Sequence, residues 1–234
     1  LFSRGFIKTG LGKRIAYNLI SAFGSSSLRL AYALALSDLI LAPATPSNTA
    51  RVGGVIMPIT TSLAKAFGSE PQDGPRKIGS FLMQSIYQVN TITSAMFQTS
   101  MAGNTLVAAL ALQSFGIGIT WGDWAMAAIV PGIVALLIMP YFIYKVYPPE
   151  IRDAREAQQM IREELKGLGK MSFQEWVMLG VFILALVLWA TSQFTKLDAT
   201  TVAFLGISIL LATGVLIWDD VKSEKGAWDT LVWM

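Results

Sequence analysis

Ser47, Asn48 and Thr49 stand in a row behind Pro46, and Arg51 follows two residues later. Their side chains offer hydroxyl and amide donors and one permanent positive charge. Such a set can replace the water around an anion. The oxygens of the same three residues can instead coordinate Na⁺. A helix starting behind Ser47 would add free N–H groups and the positive end of its dipole. The plainer alternative is an N-cap, since Ser-Asn-Thr ahead of any helix can serve as one. Arg51 is the sharper feature, because no charge lies between Asp38 and Arg51. A cation on an apolar arm is costly unless paired. Four readings of it stay open: it neutralises a bound carboxylate, replaces a bound cation, pairs with Asp38, or snorkels to the interface. Asp38 itself reads most simply as its partner.

A second candidate is Thr99-Ser100-Met101-Ala102-Gly103-Asn104. The run is a poor helix centre. A break here would free carbonyls and N–H groups for a ligand, with Thr99, Gly103 and Asn104 as substrate contacts. The alternative is a helix–helix contact through small residues. Phe81, Met83, Met96 and Phe97 read as packing residues.

The chain has no Cys and no His. That removes disulfides, thiolate chemistry, Cys/His metal sites and His-based catalysis. An intramembrane enzyme would need a nucleophile, paired carboxylates or a metal site, and Asp38 is the lone acid within the apolar arms. Charged residues make up 14% of the 234 residues and hydrophobic ones 53%, against about 25% charged in soluble domains. The mean hydropathy is +0.54. The bilayer is the expected solvent. The net charge of +3, without basic blocks interleaved with aromatics, speaks against nucleic acid.

The elements that must position these residues follow from hydropathy. A spanning helix needs about 20 apolar residues. Residues 124–144, 176–195 and 199–218 carry no charge and have Trp or Tyr near their ends, as interfacial anchors do. Residues 80–122 also lack charge. They are too long for one helix and too rich in Gln, Ser, Thr and Asn to face lipid, which predicts a broken helix lining a cavity. Residues 28–42 and 52–64 form two short arms around Pro43-Ala44-Thr45-Pro46-Ser47-Asn48-Thr49. Prolines and small polar residues at the joint predict a re-entrant hairpin.

Basic residues flank the hairpin on both sides, from Arg4 to Arg29 and again at Lys65, Arg76 and Lys77, so both its ends are expected in the cytoplasm. The basic loop 145–170 returns there after two crossings. An ordinary two-span hairpin would close the topology equally well. The expected organisation is therefore all-α and polytopic. Residues 1–26 form an interfacial amphipathic helix, 27–67 the hairpin, 78–146 a broken and a full spanning helix, 147–171 a solvated linker helix (helical pattern over 151–168), and 172–234 two further spans. Both chain ends read as cuts, which makes the sequence a fragment.

Residues 39–51, from Leu39 to the Ser47-Asn48-Thr49-Ala50-Arg51 run, resemble the first Ser-Asn-Thr motif of the divalent anion/Na⁺ symporter family. The nearest likeness is its citrate/succinate and 2-oxoglutarate/malate antiporter branch. Residues 76–82, the Thr99–Asn104 run and Trp218-Asp219-Asp220 with Gly226-Ala227-Trp228 are similar to the same branch. The resemblance covers essentially the whole chain. It implies two inverted repeats, each with a re-entrant hairpin and a broken helix, in a homodimer moving like an elevator. On this sequence Asn48 and Thr49 would hold a substrate carboxylate. Ser47, Asn48 and the backbone near Ser100, Met101 and Ala102 would form the first cation site. The second repeat would begin near Ser172 and stop short of its own hairpin. Sodium-coupled members carry a Gly-Thr/Ser-Pro-Pro-Asn pattern where this chain has Ser100-Met101-Ala102-Gly103-Asn104.

The implied function is di- or tricarboxylate transport in a bacterial inner or plasma membrane, by anion exchange. Na⁺-coupled symport is the alternative, and a non-transporting structural subunit is a remote one. No cofactor is expected beyond an optional Na⁺.

Overall fold

The computed structural model describes residues 2–45, 47–225, 228 and 232. Among the described residues the regular secondary structure is all helical, apart from one isolated bridge between Ser26 and Asp153. Pro46 and the Gly226-Ala227 pair lie outside the described residues.

The N-terminal segment forms two helices rather than one. Gly10, with a φ of 77°, ends α1 (Phe2–Thr9) and starts α2 (Leu11–Phe23). Only glycine adopts that left-handed conformation without strain. Phe2 and Phe6 are four residues apart and share a face. The Phe6 ring meets Phe182 edge-on at 5.2 Å. A Cβ at Gly206 would lie 2.7 Å from the Phe2 ring, so glycine there makes the room. In α2 the stripe Leu11, Ala16, Tyr17 and Ile20 is buried. Its cover is protein, with α3 and α9 packed against it. The segment expected as one interfacial helix is therefore two, and the amphipathic stripe of the second packs on protein.

The hairpin has unequal arms. Helix α3 (Ser27–Leu41), 15 residues, spans about 22 Å. It ends in a tight turn at Ala42–Ala44, where Pro43 cannot continue the ladder. The second arm starts at Asn48, earlier than expected. It runs as α4 (Asn48–Arg51), a widened π-type turn (Val52–Ile56) and α5 (Met57–Ala66), about 28 Å in all. The widening falls just before Pro58, whose ring would clash with the Gly54 carbonyl in a regular helix.

The long uncharged stretch breaks as expected. Helix α6 (Gly79–Met96) is followed by a turn at Gln98–Ser100 and by α7 (Ala102–Phe115). Helix α8 (Trp121–Val146) is 26 residues long and opens with a Thr120/Asp123 capping box. It packs closely on α6, because Gly132 leaves space for Met96; a Cβ there would sit 2.6 Å from that side chain.

After α8 the linker does more than connect. Its first part is extended, so the helix expected from residue 151 begins only as α9 (Arg155–Gly167). Ser27 N–H donates to Arg152 O at 3.0 Å, and Ile151 N–H to Lys77 O at 2.9 Å. These bonds tie the first turns of α3 and α6 to one strip of backbone. The adjacent Arg155 guanidinium holds the Asp153 carboxyl down at about 2. Helix α9 then docks on α2, burying Ala157, Gln158 and Ile161. The expected solvated helix is thus a docked one on its apolar face.

The helices in the apolar windows expected at 176–195 and 199–218 end earlier than the hydropathy suggested. Helix α10 (Phe173–Ala190) stops before the one-turn α11 (Ser192–Thr195), and α12 (Ala199–Ala212) has 14 residues. Helix α13 (Trp218–Ser223) follows. Among the described residues, Ser27–Ala44, Trp121–Val146 and Phe173–Ala190 are long and apolar enough to cross a bilayer.

One ion pair fastens α2 to α10. Arg14 Nε donates to Glu175 Oε1 at 2.5 Å and Nη2 to Oε2 at 3.2 Å, while Nη1 reaches Gly169 O at 2.9 Å. Both side chains are nearly buried. We expect Arg14→Ala to lower stability by about 3–5 kcal/mol, because Glu175 keeps its charge and loses its partner. The check is a thermal melt in detergent. Combining it with Glu175→Leu should recover most of the loss; a combined variant as unstable as the single one would contradict this.

Candidate functional site at the hairpin tip

The hairpin tip presses on the break between α6 and α7, and Arg51 sits at the junction, 1% exposed. Its Nε donates to Asp38 Oδ1 at 2.8 Å. Nη2 donates to Thr93 Oγ1 at 3.1 Å and Ser94 Oγ at 3.0 Å. Nη1 lies between two carbonyls, Thr45 O at 3.1 Å and Ser100 O at 3.3 Å. A guanidinium has five N–H groups, and here all are taken. Asp38 in turn accepts from Thr93 Oγ1 at 2.5 Å, with Asn90 Nδ2 at 3.5 Å. Of the readings open for Arg51, the pair with Asp38 is the one that forms. The charge is neutralised inside the protein and joins four pieces: α3, the tip, α6 and the break.

The break is held by its own polar side chains. Ser100 Oγ reaches Ser94 O at 2.9 Å and Phe97 O at 2.7 Å. Asn104 Nδ2 donates to the same two carbonyls at 2.7 and 2.9 Å. Ser94 O lies in the last turn of α6, where a carbonyl lacks an intrahelical partner, and Phe97 O also accepts from Ser100 N–H at 3.1 Å. Thr99 Oγ1 donates to Pro43 O at 2.6 Å and accepts from Trp121 Nε1 at 2.9 Å. The side chains of Thr99, Ser100 and Asn104 are therefore buried and engaged. Met101, Ala102 and Gly103 are half-exposed at the first turn of α7, where backbone N–H groups have no partner within the helix.

At the tip, Ser47 Oγ accepts from Ala50 N–H at 3.2 Å and so caps α4. Asn48 Oδ1 accepts from Thr49 N–H at 2.9 Å. Asn48 is half-buried and Thr49 exposed. The amide N–H groups of Asn48 meet no acceptor among the described residues. The N-cap reading and the ligand reading of this motif are compatible, because the cap uses Ser47 and leaves Asn48 and Thr49 facing outward.

By burial, the sequence-expected residues fall into two sets. Arg51, Thr99, Ser100 and Asn104 form a buried frame. Asn48, Thr49, Met101, Ala102 and Gly103 lie at its surface, at the starts of α4 and α7. Chemically, this surface can offer amide, hydroxyl and helix-terminal N–H donors to an anion. Among the described residues, no group of three or more acidic residues could hold a metal ion. Sequence reasoning missed Thr45, Asn90, Thr93, Ser94 and Trp121. The polar load of α6 was visible, but its target was not.

Residues 1–234 match the family model described as the sodium:sulfate symporter transmembrane region. The chain belongs to this family. It is 54% identical over 232 residues to the putative malate transporter YflS of Bacillus subtilis, covering 99% of this chain and 48% of that protein. It is 47% identical over 231 residues to the inner membrane protein YbhI of Escherichia coli, covering 99% and 48%. It is 47% identical over 233 residues to the chloroplastic dicarboxylate transporter 1 of Spinacia oleracea, covering 99% and 41%. The chain spans about half the length of these curated relatives. The family agrees with the resemblance read in the motifs. Its members are transporters rather than enzymes, and the apolar helices mark an integral, multi-pass membrane protein.

The frame makes a direct expectation. Arg51→Ala strands the buried Asp38 charge and should cost about 3–5 kcal/mol, seen as a lower melting temperature. Arg51→Lys keeps the charge but loses the five-donor fork, so it should fall between. A melt of Arg51→Ala unchanged from the parent would show that the junction does not depend on this pair.

Proposed function

We propose that this chain supplies half of the binding site of a secondary transporter for di- and tricarboxylates. The observation that carries the reading is the joining of two helix starts, at Asn48 and at Ala102, by one buried guanidinium. Asn48, Thr49 and the first turn of α7 hold one carboxylate. A second hairpin outside this chain supplies the other half. Dicarboxylates fit the printed names of the malate and chloroplastic dicarboxylate transporters among its relatives. The complete protein acts as a homodimer in this proposal.

For coupling, the reading favours exchange of anions over Na⁺ symport, although the family description names sodium. A Na⁺ site at this place would draw on the oxygens of Ser47, Asn48, Ser100, Met101 and Ala102. Ser100 O and Thr45 O already face the Arg51 guanidinium, and Ser47 Oγ is spent as a cap. The pair with Asp38 is electrically neutral, so Arg51 acts by filling these positions and not as a free charge for the substrate.

The test is counterflow of labelled malate, succinate or citrate in proteoliposomes holding the complete protein. Exchange should proceed in Na⁺-free buffer with dicarboxylate inside. A strict Na⁺ requirement would overturn the coupling, and no carboxylate flux under any condition would overturn the function. Asn48→Ala removes a hydrogen bond to a charged group, about 1.5–3 kcal/mol, and should raise KM about 10-fold or more. Unchanged kinetics would remove Asn48 from the site.

A further inference from the structure

We propose that an anionic phospholipid binds in the groove between α2 and α3, with its phosphate on Arg29 and one acyl chain along α3. The groove is about 450 Å³ and is lined by Ala22, Phe23, Arg29, Tyr32, Ala33 and Leu36. Four of these residues follow the spacing i, i+3, i+4, i+7 and so form one stripe down α3. The stripe starts with a cation in the first turn and continues apolar for about 10 Å. That order, charge outside and hydrocarbon inside, is the order of a phospholipid. Tyr32 supports the far wall, donating its hydroxyl proton to Leu137 O of α8 at 2.5 Å.

Charge selects the headgroup. Arg29 is exposed and its one side-chain bond is to the neutral Ser25 Oγ at 3.2 Å. Arg162 reaches the same turn, donating to Ser21 O at 3.1 Å. Neither arginine forms an ion pair among the described residues. Of the carboxylates nearby, Asp153 is bound by Arg155, and Glu164 is paired with Lys13. Arg29 and Arg162, at the turn between α2 and α3, are thus both without a carboxylate partner among the described residues. Phe23 is 56% exposed beside that turn, as an aromatic at the headgroup level would be. Basic pockets between helices suit anionic headgroups. A zwitterionic lipid would bring its own cation to the arginines and lose the advantage.

The test is native mass spectrometry of the complete protein, loaded with equal amounts of phosphatidylglycerol and phosphatidylcholine of the same chains. The parent should retain phosphatidylglycerol in preference. Arg29→Gln should cut that retention roughly fivefold, the effect of one interfacial arginine, and leave phosphatidylcholine unchanged. Leu36→Trp, which fills the groove, should reduce phosphatidylglycerol as well. Arg155→Gln, whose arginine is already paired, should not. Equal retention by the parent and Arg29→Gln would overturn the proposal. So would competition by inorganic phosphate with no bound lipid. A Leu36→Cys variant of the complete protein that a bilayer-soluble maleimide cannot label would show that protein, not lipid, fills the groove.

Discussion

A guanidinium buried between a hairpin tip and a helix break is the constraint around which this chain is arranged. Each end of a broken helix leaves carbonyls and N–H groups that hydrocarbon cannot satisfy. The break between α6 and α7 and the turn after α3 create several such groups at the same depth. Arg51 answers two of the carbonyls, Thr45 O and Ser100 O, with one nitrogen. Its charge would be prohibitive there without Asp38. The carboxylate lies on the first arm, thirteen residues back, so the pair also clamps the two arms together. Lysine would not replace it, since a single ammonium cannot face Asp38, two hydroxyls and two carbonyls in one plane.

The surrounding helices make sense as support for that junction. Trp121 reaches the tip through Thr99, which passes the bond to Pro43 O. Phe97, Trp121 and Trp189 stack with centroid separations of 5.6 and 6.3 Å, so the break leans on both α8 and α10. At the other end of the molecule, the extended linker ties α3 to α6, and Arg14 ties α2 to α10. The polar frame leaves the starts of α4 and α7 facing outward with donors to spare. Binding an anion at such a surface requires no new burial of protein charge.

Much of this was legible in the residues. The uncharged stretch from Ser80, loaded with Ser, Thr, Asn and Gln, required a broken helix that lines something. The prolines around Thr45 required a turn. Asp38 read most simply as the partner of Arg51, one of four readings left open for that arginine, and the pair is the one that forms. Other features were not legible. The α2 stripe has the same pattern whether it faces lipid or α9, because amphipathicity does not name the partner. The sequence spacing of Thr93, Ser94 and Trp121 says nothing about Arg51, since their meeting depends on how three helices cross. Hydropathy overran the ends of α10 and α12, because Thr191 and Gly214 end helices without being charged.

The frame and the binding surface are separate in this account: Arg51 holds the wall and Asn48 with the start of α7 meets the substrate. The most direct measurement is an experimental structure of the complete protein with bound malate in Na⁺-free buffer. The account predicts a carboxylate on the Asn48 amide and the first-turn N–H groups of α7, with Arg51 still paired to Asp38. A carboxylate bound to the Arg51 guanidinium with Asp38 released, or bound away from the tip altogether, would contradict it.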